Sequence, residues 1–141
     1  MASDPTFDSQ GRYVAETRGV TVRVKPAYLP RQSDPESGRH VWAYEVTIEN
    51  GGGETVQLLN RHWRITDGHG RVEIVEGPGV VGEQPVLQPG QRHTYASGCP
   101  LPTPSGIMVG HYEMVNGKGE RFLVEIPAFS LDLPGGDRAV N

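Results

Sequence analysis

The chain has 141 residues, the size of one domain, and carries a formal net charge of −4. That balance excludes a general nucleic-acid binder, whose affinity rests on an excess of Lys and Arg, although eleven of the thirteen basic residues are Arg and leave room for a local patch. The single cysteine, Cys99, excludes a disulfide framework and a cysteine-rich zinc site, and no apolar run is long enough to insert into a membrane.

With 19 Gly and 12 Pro, the chain is rich in turn formers, which implies many short strands rather than a few long helices. Residues 1–18 are polar, without sustained period and without a secretory core. They are expected to form a flexible N-terminal arm in a cytoplasmic protein. Val20, Val22 and Val24 alternate with Thr21 and Arg23, the pattern of a half-buried strand. Residues 31–39 (RQSDPESGR) read as a loop. From His40 to Asn50, Trp42, Tyr44, Val46 and Ile48 share one face, the clearest period of two in the chain.

Asn50-Gly51-Gly52-Gly53 supplies a turn, followed by a strand from about Thr55 to Asp67. Its phase breaks, because Val56 and Leu58 are even and Trp63 and Ile65 are odd. A period of two cannot carry both pairs to one face without an extra residue, so a bulge or strand switch is expected between Leu59 and His62. Asp67-Gly68-His69-Gly70 reads as a hairpin turn into a strand over 72–75. Residues 77–85 read as loop, and Leu87-Gln88-Pro89-Gly90 as a turn with Pro then Gly at its centre. Strands follow over 92–97 and 107–115, where Tyr112 is placed inward. Asn116-Gly117-Lys118-Gly119 is a hairpin signal, and Phe122, Val124 and Ile126 make a last strand stopped by Pro127. The sum is an all-β antiparallel sandwich, Ig-like or fibronectin type III-like, of seven to eight strands over residues 19–133. A small closed barrel is the alternative, and a flexible tail is expected over 134–141.

Two segments carry candidate sites. Arg61-His62-Trp63-Arg64 lies where the strand phase breaks, so some of these large side chains must leave the core. Arg and Trp are common interface anchors, which makes the four residues a candidate partner-binding site. The competing reading puts Trp63 in the core and the arginines in solvent. Gly77-Pro78-Gly79-Val80-Val81-Gly82 has the letters of a dinucleotide fingerprint, but no helix follows Glu83-Gln84-Pro85 to present amides to a pyrophosphate. Gly77, Gly79, Gly82 and Glu83 remain as a ligand or anion loop, with tight backbone packing as the plain alternative. His40, His62, His69, His93 and His111 show no metal-ligand spacing, so neither a metal nor another cofactor is assigned. Nothing near Ser97-Gly98-Cys99 supplies a base with an orienting partner, and no catalytic residue is assigned.

The segments WAYEVTIEN (42–50), VQLLNRHWRITDGHG (56–70), EGPGVVGEQPVLQPG (76–90), YASGCPLPTPSGIMVGHYEMV (95–115) and FLVEIPAFSL (122–131) closely resemble the bacterial ApaG family, in order, from about Val20 to Leu133. The resemblance implies a fibronectin-type sandwich in a bacterial cytoplasmic protein associated with cobalt tolerance and magnesium efflux. Its gene commonly neighbours those of a diadenosine tetraphosphate hydrolase and an rRNA dimethyltransferase. The resemblance also implies an interaction module, because the same domain is appended to eukaryotic F-box and polymerase-interacting proteins. It brings no catalytic residues. A chain without a spanning segment conducts no ion itself, so an effect on efflux is indirect. The expected function is therefore non-catalytic binding of a protein partner, and open edge strands also allow self-association. The alternatives are a regulator binding pyrophosphate, a diadenosine polyphosphate, Mg or Co, and a hydrolase of phosphorylated nucleotides.

Overall fold

The computed structural model describes residues 6–134. It contains nine strands among the described residues: β1 (Tyr13–Thr17), β2 (Val20–Tyr28), β3 (His40–Asn50), β4 (Val56–Asp67), β5 (Val72–Pro78), β6 (Val86–Leu87), β7 (Arg92–Leu101), β8 (Ser105–Asn116) and β9 (Arg121–Asp132). One 3₁₀ turn, Pro35–Ser37, interrupts the long loop before β3. The first sheet has the order β1-β2-β3-β7 and the second β5-β4-β8-β9, with β6 also pairing β4, and every pairing is antiparallel. The two sheets form an antiparallel β-sandwich, as the alternation requires, since each half-apolar face must cover another.

The core is made by alternate residues of both sheets. Val22, Val24, Trp42, Val46 and Ile48 face Leu58, Trp63, Tyr112, Met114, Val124 and Ile126. The phase break in β4 is resolved by a bulge, because Leu58 pairs with Met114 and Asn60 with Glu113, leaving Leu59 as the extra residue. The bulge therefore lies at the first position of the expected interval and returns Trp63 and Ile65 to the face of Val56 and Leu58.

Several expectations change, and β5 and β7 run on to Pro78 and Leu101, past the strands expected over 72–75 and 92–97. Tyr13–Thr17, placed in a flexible arm, forms β1 and pairs with β2 over Tyr13↔Val24 to Thr17↔Val20. Its side chains gain partners across the sandwich: Tyr13 packs on Phe129, and its hydroxyl meets Ser130 Oγ at 3.1 Å. β9 does not stop at Pro127 but runs to Asp132. Between the pairs Met108↔Phe129 and Gly110↔Ile126, β9 carries two residues against one on β8, so Pro127 sits in a bulge where no ladder amide is needed. The strand count is nine rather than seven to eight because β1 and the two-residue β6 escape a periodicity reading. The C-terminal tail expected over 134–141 lies outside the described residues beyond Pro134.

The hairpin turns after β4 and β8 use one device. Asp67 Oδ1 accepts the amides of His69 and Arg71 at 2.8 and 3.0 Å, and Asn116 Oδ1 accepts those of Lys118 and Glu120 at 3.0 Å. Gly70 and Gly119 supply the left-handed residue that closes each turn.

Candidate functional site

The two segments singled out by sequence are neighbours, because β4 and β5 pair with Arg61 opposite Gly77. The Arg61 Nη1 group donates to the carbonyls of Pro78 and Gly79, both at 3.0 Å. A Cβ on Gly77 would lie 3.1 Å from Arg61 Nη1, so the missing side chain is what lets the guanidinium lie across the strand. The bulge at Leu59 contributes as well. Its carbonyl accepts the Gly79 amide at 2.8 Å and the Gln84 side-chain amide at 2.9 Å. Arg61 and the bulge thus hold the glycine loop from two sides.

Within the loop, the amides of Val80 and Glu83 bond to each other's carbonyls at 2.8 and 3.0 Å. Gly79 has φ +65°, and a Cβ there would collide with the Glu83 carbonyl. Val80 is buried in the core, whereas Val81, at φ 46°, stands 65 % exposed at the tip beside Gly82. A β-branched residue in this backbone region is strained by about 1–3 kcal/mol. Three of the loop's amides, those of Gly79, Val80 and Glu83, are held by the fold itself. The glycines therefore serve first for close backbone packing. The side chain of Glu83 is exposed.

Trp63 is a correction to the partner-binding segment. It is 2 % exposed and packs edge-on against Tyr44 and Phe129, with centroids at 5.5 and 5.9 Å. The bulge at Leu59 turns it inward, and Gly110 on β8 makes room: a Cβ there would lie 2.8 Å from the Trp63 ring and collide with the His62 carbonyl. Trp63 cannot anchor a partner without unfolding. Arg61 is half-buried in holding the loop. His62 and Arg64 alone present their side chains on the outer face of the second sheet.

That face divides into two halves. In one, His62 stacks on His111, its partner across β8, with centroids 4.7 Å apart and planes at 9°. His62 Nδ1 lies 3.4 Å from Glu76 Oε2, and Asn60 donates to Glu113 at 2.7 Å, with Arg121 at 3.6 Å from the same carboxylate. Apart from Arg121, these groups line a groove of about 370 Å³ with Pro78 and Leu123. Burial, then the neighbouring His62, lowers the pKa of His111, against an opposing pull from Glu76 and Glu113. The polar half is thus internally paired. No group of three or more His, Cys, Asp or Glu among the described residues is arranged to hold a metal ion.

The other half is apolar. Arg64 pairs in register with Ile74 on β5 and Val109 on β8, and Thr66 pairs with Val72 and Ile107. Val72, Ile74, Ile107 and Val109 are 46, 49, 51 and 44 % exposed. Among the described residues Arg64 is exposed and engaged in none of the ion pairs. Sequence reading passed over these four apolar residues. The signal was present in β8, where Ile107 and Val109 are apolar out of phase with Met108, Tyr112 and Met114, so the strand is apolar on both faces.

Cys99 is buried, and burial raises its thiol pKa to about 11, which suits an inert core thiol rather than a nucleophile. Tyr44, Tyr95 and Tyr112 all have raised pKa values, chiefly through burial, and the hydroxyls of Tyr95 and Tyr112 bond each other between the sheets. No helix among the described residues is long and apolar enough to cross a membrane.

Comparison with known proteins agrees with this architecture. Residues 30–116 match the family model described as the ApaG domain. The chain is 62 % identical over 129 residues to the ApaG protein of Mesorhizobium japonicum, covering 92 % of this chain and 99 % of that one. Identity to the ApaG protein of Rhodospirillum centenum is 63 % over the same shares. The crystal structure of the putative ApaA protein of Bordetella pertussis superposes with a TM-score of 0.81 at 50 % identity, over 83 % of this chain and 95 % of that one. The chain belongs to the ApaG family.

Proposed function

We propose that the chain is a non-catalytic protein-interaction module that docks its partner on the outer face of the second sheet, around Arg64. The observation that carries this reading is the cluster of Val72, Ile74, Ile107 and Val109, each close to half exposed, surrounding an unpaired guanidinium. Exposed apolar side chains gathered on one face mark interaction sites, and an Arg at their centre is a typical anchor. The partner surface that fits is apolar with a carboxylate opposite Arg64. The internally paired histidine and carboxylate half then forms a polar border. Any link to cobalt tolerance or magnesium efflux runs through such a partner. A small-anion or divalent-cation regulator has less support, because Arg61 and the amides of Gly79, Val80 and Glu83 already have partners within the fold.

A photo-crosslinking amino acid at Ile107, with a control at Lys25 on the outer face of the first sheet, tests the reading in cells. The expected result is a discrete adduct at position 107 that is absent at position 25 and lost with Arg64→Glu. Identical adduct patterns at both positions, or an adduct indifferent to Arg64→Glu in a normally folded variant, would refute it.

A further inference from the structure

The four edges of the two sheets are treated differently. β1 and β9 close on each other, since Thr17 Oγ1 accepts the Glu125 amide at 3.1 Å and the Tyr13 hydroxyl meets Ser130. The open edge of β5 is guarded by the acidic Glu73 and Glu76 and ends in Pro78. Charges and prolines are the usual means of keeping an edge from pairing.

β7 has neither. Between Arg92 and Pro100 its sequence, HTYASGC, contains no carboxylate, Lys, Arg or Pro, and its register with β3 runs unbroken from Glu49↔Arg92 to His40↔Leu101, without a bulge to bend the edge away. The direction of its backbone groups follows from the ladder. Asn50 N–H donates to Gln91 O at 2.9 Å, so the alternation makes Ile48–His93, Val46–Tyr95 and Tyr44–Ser97 the hydrogen-bonded pairs. Arg92, Thr94, Ala96 and Gly98 then turn their amides and carbonyls away from β3. No other strand among the described residues pairs with that side.

We propose that this edge pairs with the same edge of a second copy, antiparallel about a two-fold axis at Ala96, joining the two four-stranded sheets into one of eight strands. The choice of a second copy rests on self-complementarity. About that axis Ala96 faces Ala96, Thr94 faces Gly98 and Arg92 faces Pro100, so small residues meet at the centre and no like charges are opposed. Ala96 and the pairs beside it would form about eight main-chain hydrogen bonds, with Pro100 as the only outward position lacking a donor. Two strands with side chains this small cover less than a standard interface of about 1,600 Å², so the association depends on protein concentration. This inference is independent of the partner surface around Arg64, which lies on the other sheet.

Sedimentation velocity on the whole chain from about 1 µM to 1 mM tests it, with Ala96→Lys and Ala96→Glu as probes. Position 96 is exposed, so neither variant disturbs the core. The parent is expected to shift from monomer to dimer as concentration rises. Each variant alone opposes two like charges at the axis and stays monomeric, and an equimolar mixture recovers the dimer. A parent that is monomeric throughout the range overturns the proposal. So does a dimer that survives both variants, or a mixture that stays monomeric.

Discussion

Replacing Arg61 with Met removes both bonds to the glycine loop while keeping most of the side chain's length. Each is a 3.0 Å bond from a charged donor to a carbonyl, one exposed and one partly buried. A hydrogen bond to a charged group contributes about 1.5 kcal/mol, and solvent roughly halves the exposed one, so the pair contributes about 2 kcal/mol. That is about 30-fold in a local opening equilibrium. The loss is local, because Val80 remains in the core and Leu59 O still accepts the Gly79 amide. Amide hydrogen exchange should show protection of Gly79, Val80 and Glu83 falling by about that factor, with the amides of β3 much less affected. Loop protection within twofold of the parent would show that Arg61 does not hold the loop, and would return the residue to the pool of candidate partner contacts.

Gly110→Ala brings a methyl against the His62 carbonyl and the Trp63 ring, neither of which can withdraw. It should cost about 3 kcal/mol in urea denaturation, at the upper end of overpacking, and a change under 0.5 kcal/mol would be inconsistent with the packing described. Val81→Asn should raise stability by about 1 kcal/mol, since Asn tolerates the left-handed backbone and the 65 % exposed Val side chain loses little packing. His111 gives a pH dependence. Its folded pKa lies below the ordinary value of 6.5, so the unfolded chain takes up the proton first. The contribution of His111 to stability is therefore full above that value and declines as pH falls below it, until the folded form also protonates. Urea midpoints between pH 7.5 and 5.5 should fall less steeply for His111→Gln than for the parent.

The sandwich was legible because its central strands alternate cleanly and its turns use residues with one conformational purpose. β3 and the two hairpins closed by Gly70 and Gly119 are where local chemistry and tertiary structure agree. The bulge in β4 was legible for a stronger reason: two apolar pairs in opposite phase cannot share a face. What the phase break could not say was which side of the bulge Trp63 would take. That depends on Gly110, which lies on another strand. β1 was missed because none of its five residues is fully buried, and β9 was cut short because a proline inside a bulge cannot be told from a proline ending a strand.

The candidate site shows the same limit in sharper form. Arg61 and the glycine loop were read as two separate possibilities, one for a protein partner and one for a ligand. The β4–β5 register makes them one structural unit. Once the guanidinium is occupied by the carbonyls of Pro78 and Gly79, the most conspicuous residues of both motifs are explained by the loop's own architecture. The surface left for recognition is then made of residues with no motif at all: a β-branched cluster on β5 and β8, and Arg64 between them. Such a surface is invisible to pattern matching because each residue alone is an ordinary strand residue. It becomes visible when a strand such as β8 proves apolar on both faces while only one faces the core. The Arg64→Glu variant separates the two accounts. If recognition lies in the glycine loop, reversing this charge on the outer face leaves partner crosslinking intact; if it lies in the cluster, the adduct disappears while the loop amides keep their protection.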